Sequence, residues 1–322
     1  ETDMSQRHSL LNQVTRENVD RLELKWVLQN QVFGAWQSNP IIVDGVMYVT
    51  ERPNSVMAVD AVNGRVFWKY RHQNADNALV CCGANNRGVA VLNDKVYMGT
   101  LDAQLVALDR INGQLLWKAE VGDVDAAYSV TMAPLAVKDK ILVGVGGGEF
   151  GIRGYVAAFD AETGEQAWKT YTIPGPGEAG HDSWEGDDWE HGGAPVWITG
   201  SFDPDLNLTY WGVGNPGPDW NAGQRPGDNL HSDSAIALNA DTGELEWYFQ
   251  FTPNDAYDYD SVQVPVLADL VWRGEPRKLM MWANRNGYFY VLDRTNGEFL
   301  EGKPYVRVNW SSGLDEGGRP IP

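Results

Sequence analysis

Five stretches repeat one phrase: VMAVDAVNGRVFW (56–68), LVALDRINGQLLW (105–117), VAAFDAETGEQAW (156–168), AIALNADTGELEW (235–247) and YVLDRTNGEFL (290–300). Each is a short apolar strand, an Asp or Asn, three residues, a Gly and a second strand, which in four of the five closes on Trp. The chemistry of a hairpin explains the wording. An Asx side chain at the head of a turn bonds the backbone two residues on, and a glycine takes φ > 0 without a Cβ clash. Asp60, Asp109, Asp160, Asn239 and Asp293 are 49, 51, 79 and 54 residues apart, so one unit is about 50 residues and suits a four-stranded blade. The predicted fold is therefore all-β, a β-propeller of four-stranded blades whose radial arrangement shields strand edges. The recurring Trp is expected to pack between neighbouring blades. No segment has convincing helical periodicity, and Asn18 and Asp20 weaken even the short piece at 15–22.

The chain has 322 residues, room for one large β domain or two average ones. No apolar run approaches the roughly 18 residues of a spanning helix, and the chain lacks the charged-then-apolar start of an export signal. The net charge is −19, from 44 acidic and 25 basic side chains. Such a field repels nucleic-acid backbones and anionic membranes, and it leaves a cationic protein partner or plain solubility. Glycine, at 35 residues, exceeds average usage of about 7%, and Trp, at 14, is also in excess. Both fit many tight turns and a repeated aromatic packing position.

The two cysteines are neighbours, Cys81 and Cys82. Adjacent Cα atoms lie about 3.8 Å apart, below the roughly 4.4–6.8 Å usual for a disulfide. The residues alone favour two free thiols and leave a vicinal disulfide open. The long third interval holds GPGEAGHDSWEGDDWEHGG (175–193), a Gly-, Trp- and acid-rich insertion. Long loops on a rigid scaffold often carry function; the alternative is a solvated acidic lid. No P-loop, GxGxxG at a helix start, HExxH, GxSxG or CxxC occurs. The five histidines, His8, His72, His181, His191 and His231, have no metal-ligand spacing and read as surface or structural residues.

The carboxylates carry more. Glu149 stands in GGGEFGIRG (146–154), where glycines let backbone approach a ligand closely. Asp255, Asp258 and Asp260 cluster in NDAYDYDS (254–261). On an extended segment Asp258 and Asp260 point the same way. Like charges so placed call for a hard multivalent cation with oxygen ligands, unless they form an exposed acidic turn.

Six phrases then occur in order: Cys81-Cys82-Gly83 with Asn86-Arg87-Gly88, GGEFGIRG around Glu149, TYWGVGNPGPDWN around Asn215, RPGDNLHSDS from Arg225, TPNDAYDYD around Asp258, and NRNGYFYVLDR from Asn284. Together they resemble the quinoprotein alcohol dehydrogenases, the methanol and ethanol dehydrogenase family that uses pyrroloquinoline quinone (PQQ). The likeness runs from about residue 5 to 322. It implies an eight-bladed propeller of nearly twice this length, of which the chain holds about five blades as a single incomplete domain over 1–322.

By that resemblance, Cys81 and Cys82 form a vicinal disulfide on one face of the quinone site, and Trp197 stacks on the other. Arg87 and Thr131 bind quinone oxygens, and Gln37 is a further polar contact. Glu149, Asn215 and Asp258 are metal ligands, Asp258 is also the catalytic base, and Arg285 is the donor beside the reactive quinone oxygens. Asp260 resembles the extra carboxylate of lanthanide-dependent members, so a lanthanide(III) ion is expected, with Ca2+ as the alternative. At Gly146 some relatives carry a serine, so one quinone contact is expected to be missing.

The implied reaction is oxidation of a primary alcohol to an aldehyde, with electrons passed to a c-type cytochrome in the periplasm. Two rivals stand beside it. One is a cofactor-free scaffold propeller of the outer-membrane assembly type. The other is an inactive or incomplete fragment, because five blades cannot close an eight-bladed ring; a second copy or a C-terminal complement would be needed to cover the open edge.

Overall fold

A computed structural model of the chain describes residues 3–322. Strands dominate, and the only helical segments among the described residues are single 3-10 turns. The piece at 15–22 forms one such turn, Val19–Arg21. There the Asn18 side chain accepts a bond from the Thr15 N–H at 2.7 Å, which competes with a longer helix.

The first blade comprises β1 (Ile41–Val43), β2 (Val46–Glu51), β3 (Ser55–Asp60) and β4 (Val66–Arg71). The second has β5 (Ala90–Leu92), β6 (Lys95–Gly99), β7 (Gln104–Asp109) and β8 (Leu115–Glu120). The third has β9 (Leu135–Val137), β10 (Lys140–Gly144), β11 (Tyr155–Asp160) and β12 (Gln166–Tyr171). The fourth has β13 (Ser201–Asp203), β14 (Leu208–Gly212), β15 (Ser234–Asn239) and β16 (Leu245–Gln250). The fifth has β17 (Val266–Trp272), β18 (Glu275–Ala283), β19 (Tyr288–Asp293) and β20 (Glu298–Pro304), and a two-stranded hairpin, β21 (Gly313–Leu314) with β22 (Pro320–Ile321), follows. Every sheet is an antiparallel meander. The first strands of neighbouring blades meet, β5 against β9 and β13 against β17. This is the predicted all-β propeller.

The repeated phrase forms the third-to-fourth-strand hairpin of each blade. The Oδ1 atoms of Asp60, Asp109 and Asp160 accept from the N–H two residues on at 2.8–2.9 Å, and those of Asn239 and Asp293 do so at 3.0 Å. The turn glycines have φ between +72° and +78°. A second constraint fixes them as glycine. A Cβ on Gly113 would lie 2.5 Å from Trp68, one on Gly164 2.7 Å from Trp117, one on Gly243 2.5 Å from Trp168 and one on Gly297 2.6 Å from Trp247. Each blade's Trp therefore seats on the next blade's turn, as expected. Trp68, Trp168 and Trp247 also donate their indole N–H to a carbonyl of that turn. Trp26, which lies in no copy of the phrase, does the same against Gly64 and the Ala61 carbonyl. In the fifth copy the Trp position is Glu301.

Third strands are buried along nearly their whole length, whereas fourth strands alternate. Val130, Val143, Val156 and Trp211 pack in one core across blades, and Tyr210, Trp247, Phe251 and Trp282 in another. Each such side chain contributes about 1.5–3 kcal/mol by leaving water.

Candidate active site

In a meander, the connection from second to third strand and the connection onward to the next blade leave the same end of the sheet. Every predicted site residue falls in one of these connections or, for Gln37, just before β1. Glu149, Asn215 and Arg285 lie in second-to-third-strand loops; Cys81, Cys82, Arg87, Thr131, Trp197, Asp258 and Asp260 lie between blades. The loops converge on a cavity of about 280 Å³. Gln37, Cys81, Cys82, Arg87, Thr131, Glu149, Trp197, Asp258, Asp260 and Arg285 line it, together with Ser129 and Gly146. Asn215 lies one layer behind the wall, buried, with its N–H 3.3 Å from Asp260 Oδ1.

The cysteines are joined as a disulfide, which decides the alternative that the residues alone left open. Their loop is pinned from several sides. His72 Nε2 lies 2.9 Å from Asp102 Oδ1, the Ala75 N–H donates to Asp102 Oδ2 at 3.1 Å, Asn85 Nδ2 donates to the Cys82 carbonyl at 3.1 Å, and Arg52 Nε donates to the Ala84 carbonyl at 3.1 Å.

Glu149 rides a 3-10 turn, Gly148–Phe150, with left-handed glycines on either side. At Gly147 a Cβ would sit 2.4 Å from the Ala127 carbonyl oxygen, so only glycine allows this close approach. A Glu149 carboxylate oxygen and both cysteine sulfurs lie within 4.8 Å of one another.

Asp258 and Asp260 share the cavity, though not on an extended segment. Both are in the left-handed region, at φ +60° and +48°, a conformation Asp tolerates better than most residues. Asp255 lies outside the lining and shapes their loop: its carboxylate accepts from the Tyr257 N–H at 2.9 Å and the Tyr259 N–H at 2.7 Å. Asp260 accepts from Trp197 Nε1 at 3.0 Å, and Arg285 lies 3.4 Å from Asp260 and 3.7 Å from Asp258. Asp260 is 7% exposed, so it does not form part of an exposed acidic turn.

The electrostatics show a shortage of positive charge. Burial pushes the Asp260 carboxyl up to about 7, with Asp258 adding to the rise and the Trp197 bond and Arg285 charge opposing it. The Glu149 carboxyl is accessible from the cavity, yet desolvation by the surrounding walls raises it, helped by the charges of Asp219 and Asp258. Asp258 is raised by burial and by Asp219, against Arg285. Arg87, with Nη1 2.8 Å from Thr131 Oγ1 and its guanidinium 4.7 Å from the Trp197 ring centre, is lowered by burial to about 10 and stays charged at neutral pH. The three carboxylates that share this cavity, Glu149, Asp258 and Asp260, offer the oxygen donors a hard cation takes.

The insertion at 175–193 places no residue in the lining. It is tied down rather than a free lid: Trp184 is buried, and Arg153 stacks on Tyr171 at 4.0 Å and on Trp189 at 4.7 Å. Its end buttresses two ligand turns, because the Gly193 N–H donates to the Ile152 carbonyl of the Glu149 loop at 2.9 Å and the Gly217 N–H of the Asn215 turn donates to the Gly192 carbonyl at 2.8 Å. None of the five histidines lines the cavity.

Sequence reading missed Ser129, Asp219 and the role of Arg225. Ser129 pairs across a bridge with Gly146, and its Oγ is 3.0 Å from where a Cβ on Gly146 would be. Arg225, 1% exposed, joins the loops of Asn215 and Asp258 through the carbonyls of Pro218 (3.3 Å), Asp219 (3.2 Å) and Asp255. Only spatial proximity reveals these roles.

Residues 1–309 match the PQQ family described as glucose/ethanol/alcohol dehydrogenase, β-propeller domain. The chain belongs to this PQQ-dependent dehydrogenase family. Among its relatives, the quinohemoprotein alcohol dehydrogenase ADH-IIG of Pseudomonas putida is 44% identical over 98% of this chain and 46% of its own length. The lanthanide-dependent methanol dehydrogenase of Methylacidiphilum fumariolicum is 40% identical over 98% of this chain and 56% of its own. A solved europium-containing methanol dehydrogenase superposes with a TM-score of 0.94 at 39% identity, covering 99% of this chain and 60% of that one. The chain thus spans about half the length of these PQQ-family relatives. BamB of Moraxella catarrhalis, at 14% identity and a TM-score of 0.54, shares the fold alone.

The residues fit the PQQ family's cofactor. A flat ring system needs apolar faces and a charged rim, and the cavity offers the disulfide, the Trp197 indole, two guanidinium groups and hydroxyls from Thr131 and Ser129.

Proposed function

We propose that this chain carries the catalytic residues of a quinoprotein alcohol dehydrogenase. It oxidises a primary alcohol to the aldehyde with PQQ and a bound cation, a lanthanide(III) ion with Ca2+ as the alternative, and passes the electrons to a c-type cytochrome in the periplasm. The observation that carries this reading is the single cavity that gathers a vicinal disulfide, an indole, three carboxylates and two arginines from loops of all five blades. The names of the relatives, alcohol and methanol dehydrogenases, support it.

PQQ, when bound, would supply the hydride acceptor and the cation the Lewis acidity, chemistry that no side chain here supplies. The protein's part is to bind, orient and move a proton. Cys81–Cys82 and Trp197 would hold the two ring faces. Arg87, Thr131, Gln37 and Ser129 would bind the polar rim, Ser129 standing in for the hydroxyl missing at Gly146. Glu149, Asn215, Asp258 and Asp260 would hold the cation; four such donors with three charges favour a trivalent ion. Asp258 takes the alcohol's hydroxyl proton. Arg285 steadies that carboxylate and supplies positive charge where negative charge develops.

With five blades where the family has eight, we read 1–322 as one incomplete propeller domain that a C-terminal complement completes, with a homodimer as the alternative cover for its open edge. The test uses the intact protein, loaded with PQQ and either La3+ or Ca2+, with quinone absorption and dye-coupled alcohol oxidation as readouts. Asp258→Asn is expected to retain the absorption and lose at least about 100-fold in turnover. Full turnover in that variant removes Asp258 as base, absence of bound quinone in the wild type removes the enzymatic reading, and activity with Ca2+ alone removes the lanthanide assignment.

A further inference from the structure

Asp219 is an acid of the site with no role so far. It follows Pro218 in GNPGPDWN, and its backbone is held by the buried Arg225 guanidinium, which donates to the carbonyls of both Pro218 and Asp219. Its Oδ1 accepts a hydrogen bond from Asn215 Nδ2 at 2.8 Å. The other contact of that amide nitrogen, to the Pro216 carbonyl, is long at 3.4 Å.

The chemistry of the two ends of an amide makes this bond consequential. A hard cation takes the oxygen of an Asn side chain and is repelled by its N–H groups. An ionised carboxylate only accepts. Pairing Asp219 with Nδ2 therefore selects one of the two amide orientations and turns Oδ1 away from Asp219. Partners of this kind, behind a ligand, set its orientation at many metal sites.

We infer that Asp219 is a positioning residue of the cation site: it fixes the Asn215 amide with its oxygen available to the cation. The inference rests on the cation-site reading above. It assigns to one carboxylate a contribution to affinity that acts through Asn215.

Terbium(III) reads this out without turnover, since its emission is sensitised by nearby tryptophan. It is titrated into the intact, metal-stripped protein, and the component lost in Glu149→Ala defines the site. Asp219→Ala is expected to weaken that component by about 10- to 100-fold. Asp219→Asn keeps an acceptor oxygen and the side-chain shape, and it should recover part of the loss. Asp219→Ala within about twofold of wild type, with Glu149→Ala still abolishing the component, overturns this inference alone. Asp219→Asn as weak as Asp219→Ala leaves only a charge effect and overturns the positioning role. Glu149→Ala binding terbium as tightly as wild type overturns the cation site itself.

Discussion

Ser129 and Gly146 face each other across an isolated antiparallel bridge, so their substituents project to the same side. A Cβ at 146 would stand 3.0 Å from Ser129 Oγ, closer than packing normally allows. A serine at both positions would crowd, so this bridge has room for one hydroxyl, that of Ser129. Ser129→Ala is therefore expected to weaken PQQ binding several-fold, the worth of about 1 kcal/mol for one hydrogen bond, read by quenching of tryptophan fluorescence. Moving the hydroxyl, with Gly146→Ser and Ser129→Gly together, should restore binding. An unchanged affinity in Ser129→Ala shows that this hydroxyl makes no cofactor contact.

At the scale of elements, the loop between β4 and β5 shows how irregular backbone is held in register for a ligand. It has no ladder of its own, so side chains replace one. Asp102, 7% exposed, accepts from His72, Thr100 and the Ala75 N–H. Burial works to raise its carboxyl, but the bonds from His72 and Thr100, with the His72 charge, outweigh it and bring the group to about 2 from an ordinary 3.8. A carboxyl lowered on folding stabilises the protein above its unfolded value, and this contribution fades as pH falls through the folded one. Asp102→Asn is therefore expected to lower Tm at pH 5–7, by an amount reflecting about 2 kcal/mol, and the gap to wild type should close between about pH 4 and pH 2. A gap that persists undiminished at pH 2 assigns the effect to shape rather than charge. The blades are fixed differently, by an indole seated on a left-handed glycine of the neighbour, which locks each element to the next through backbone contact.

For the whole molecule, the excess of acid is shared between a buried cluster at the cavity and an exposed surface. A net charge of −19 attracts a basic partner over a Debye length of about 10 Å at 0.1 M salt, and it raises the encounter rate more than the affinity. Reduction of a basic c-type cytochrome by the loaded protein is expected to slow as ionic strength rises from about 0.01 to 0.2 M, followed by stopped-flow absorbance. A rate independent of salt excludes electrostatic steering of that acceptor.

What the primary structure settled by itself is what repeats or rests on chemical type. The Asp-x-x-x-Gly-x-x-x-Trp phrase specified the hairpins because turn chemistry is local, and its period set the blade. The order of Cys81-Cys82, Arg87, Glu149, Trp197, Asp258 and Arg285 named much of the cavity lining through family likeness. Local rules failed at Asp258 and Asp260: the period-two argument assumed extended backbone, whereas a left-handed loop around Asp255 presents them. Trp26 escaped notice because it seats like the other indoles without belonging to a copy of the phrase. Only the folded chain could show that Asn215 stands behind the wall on Asp219, that Ser129 faces Gly146, and that Arg225 ties two ligand loops together. Each is a contact between loops brought to one end of the blades, and distance through space between such loops is a property of strand direction and blade packing, not of neighbouring residues.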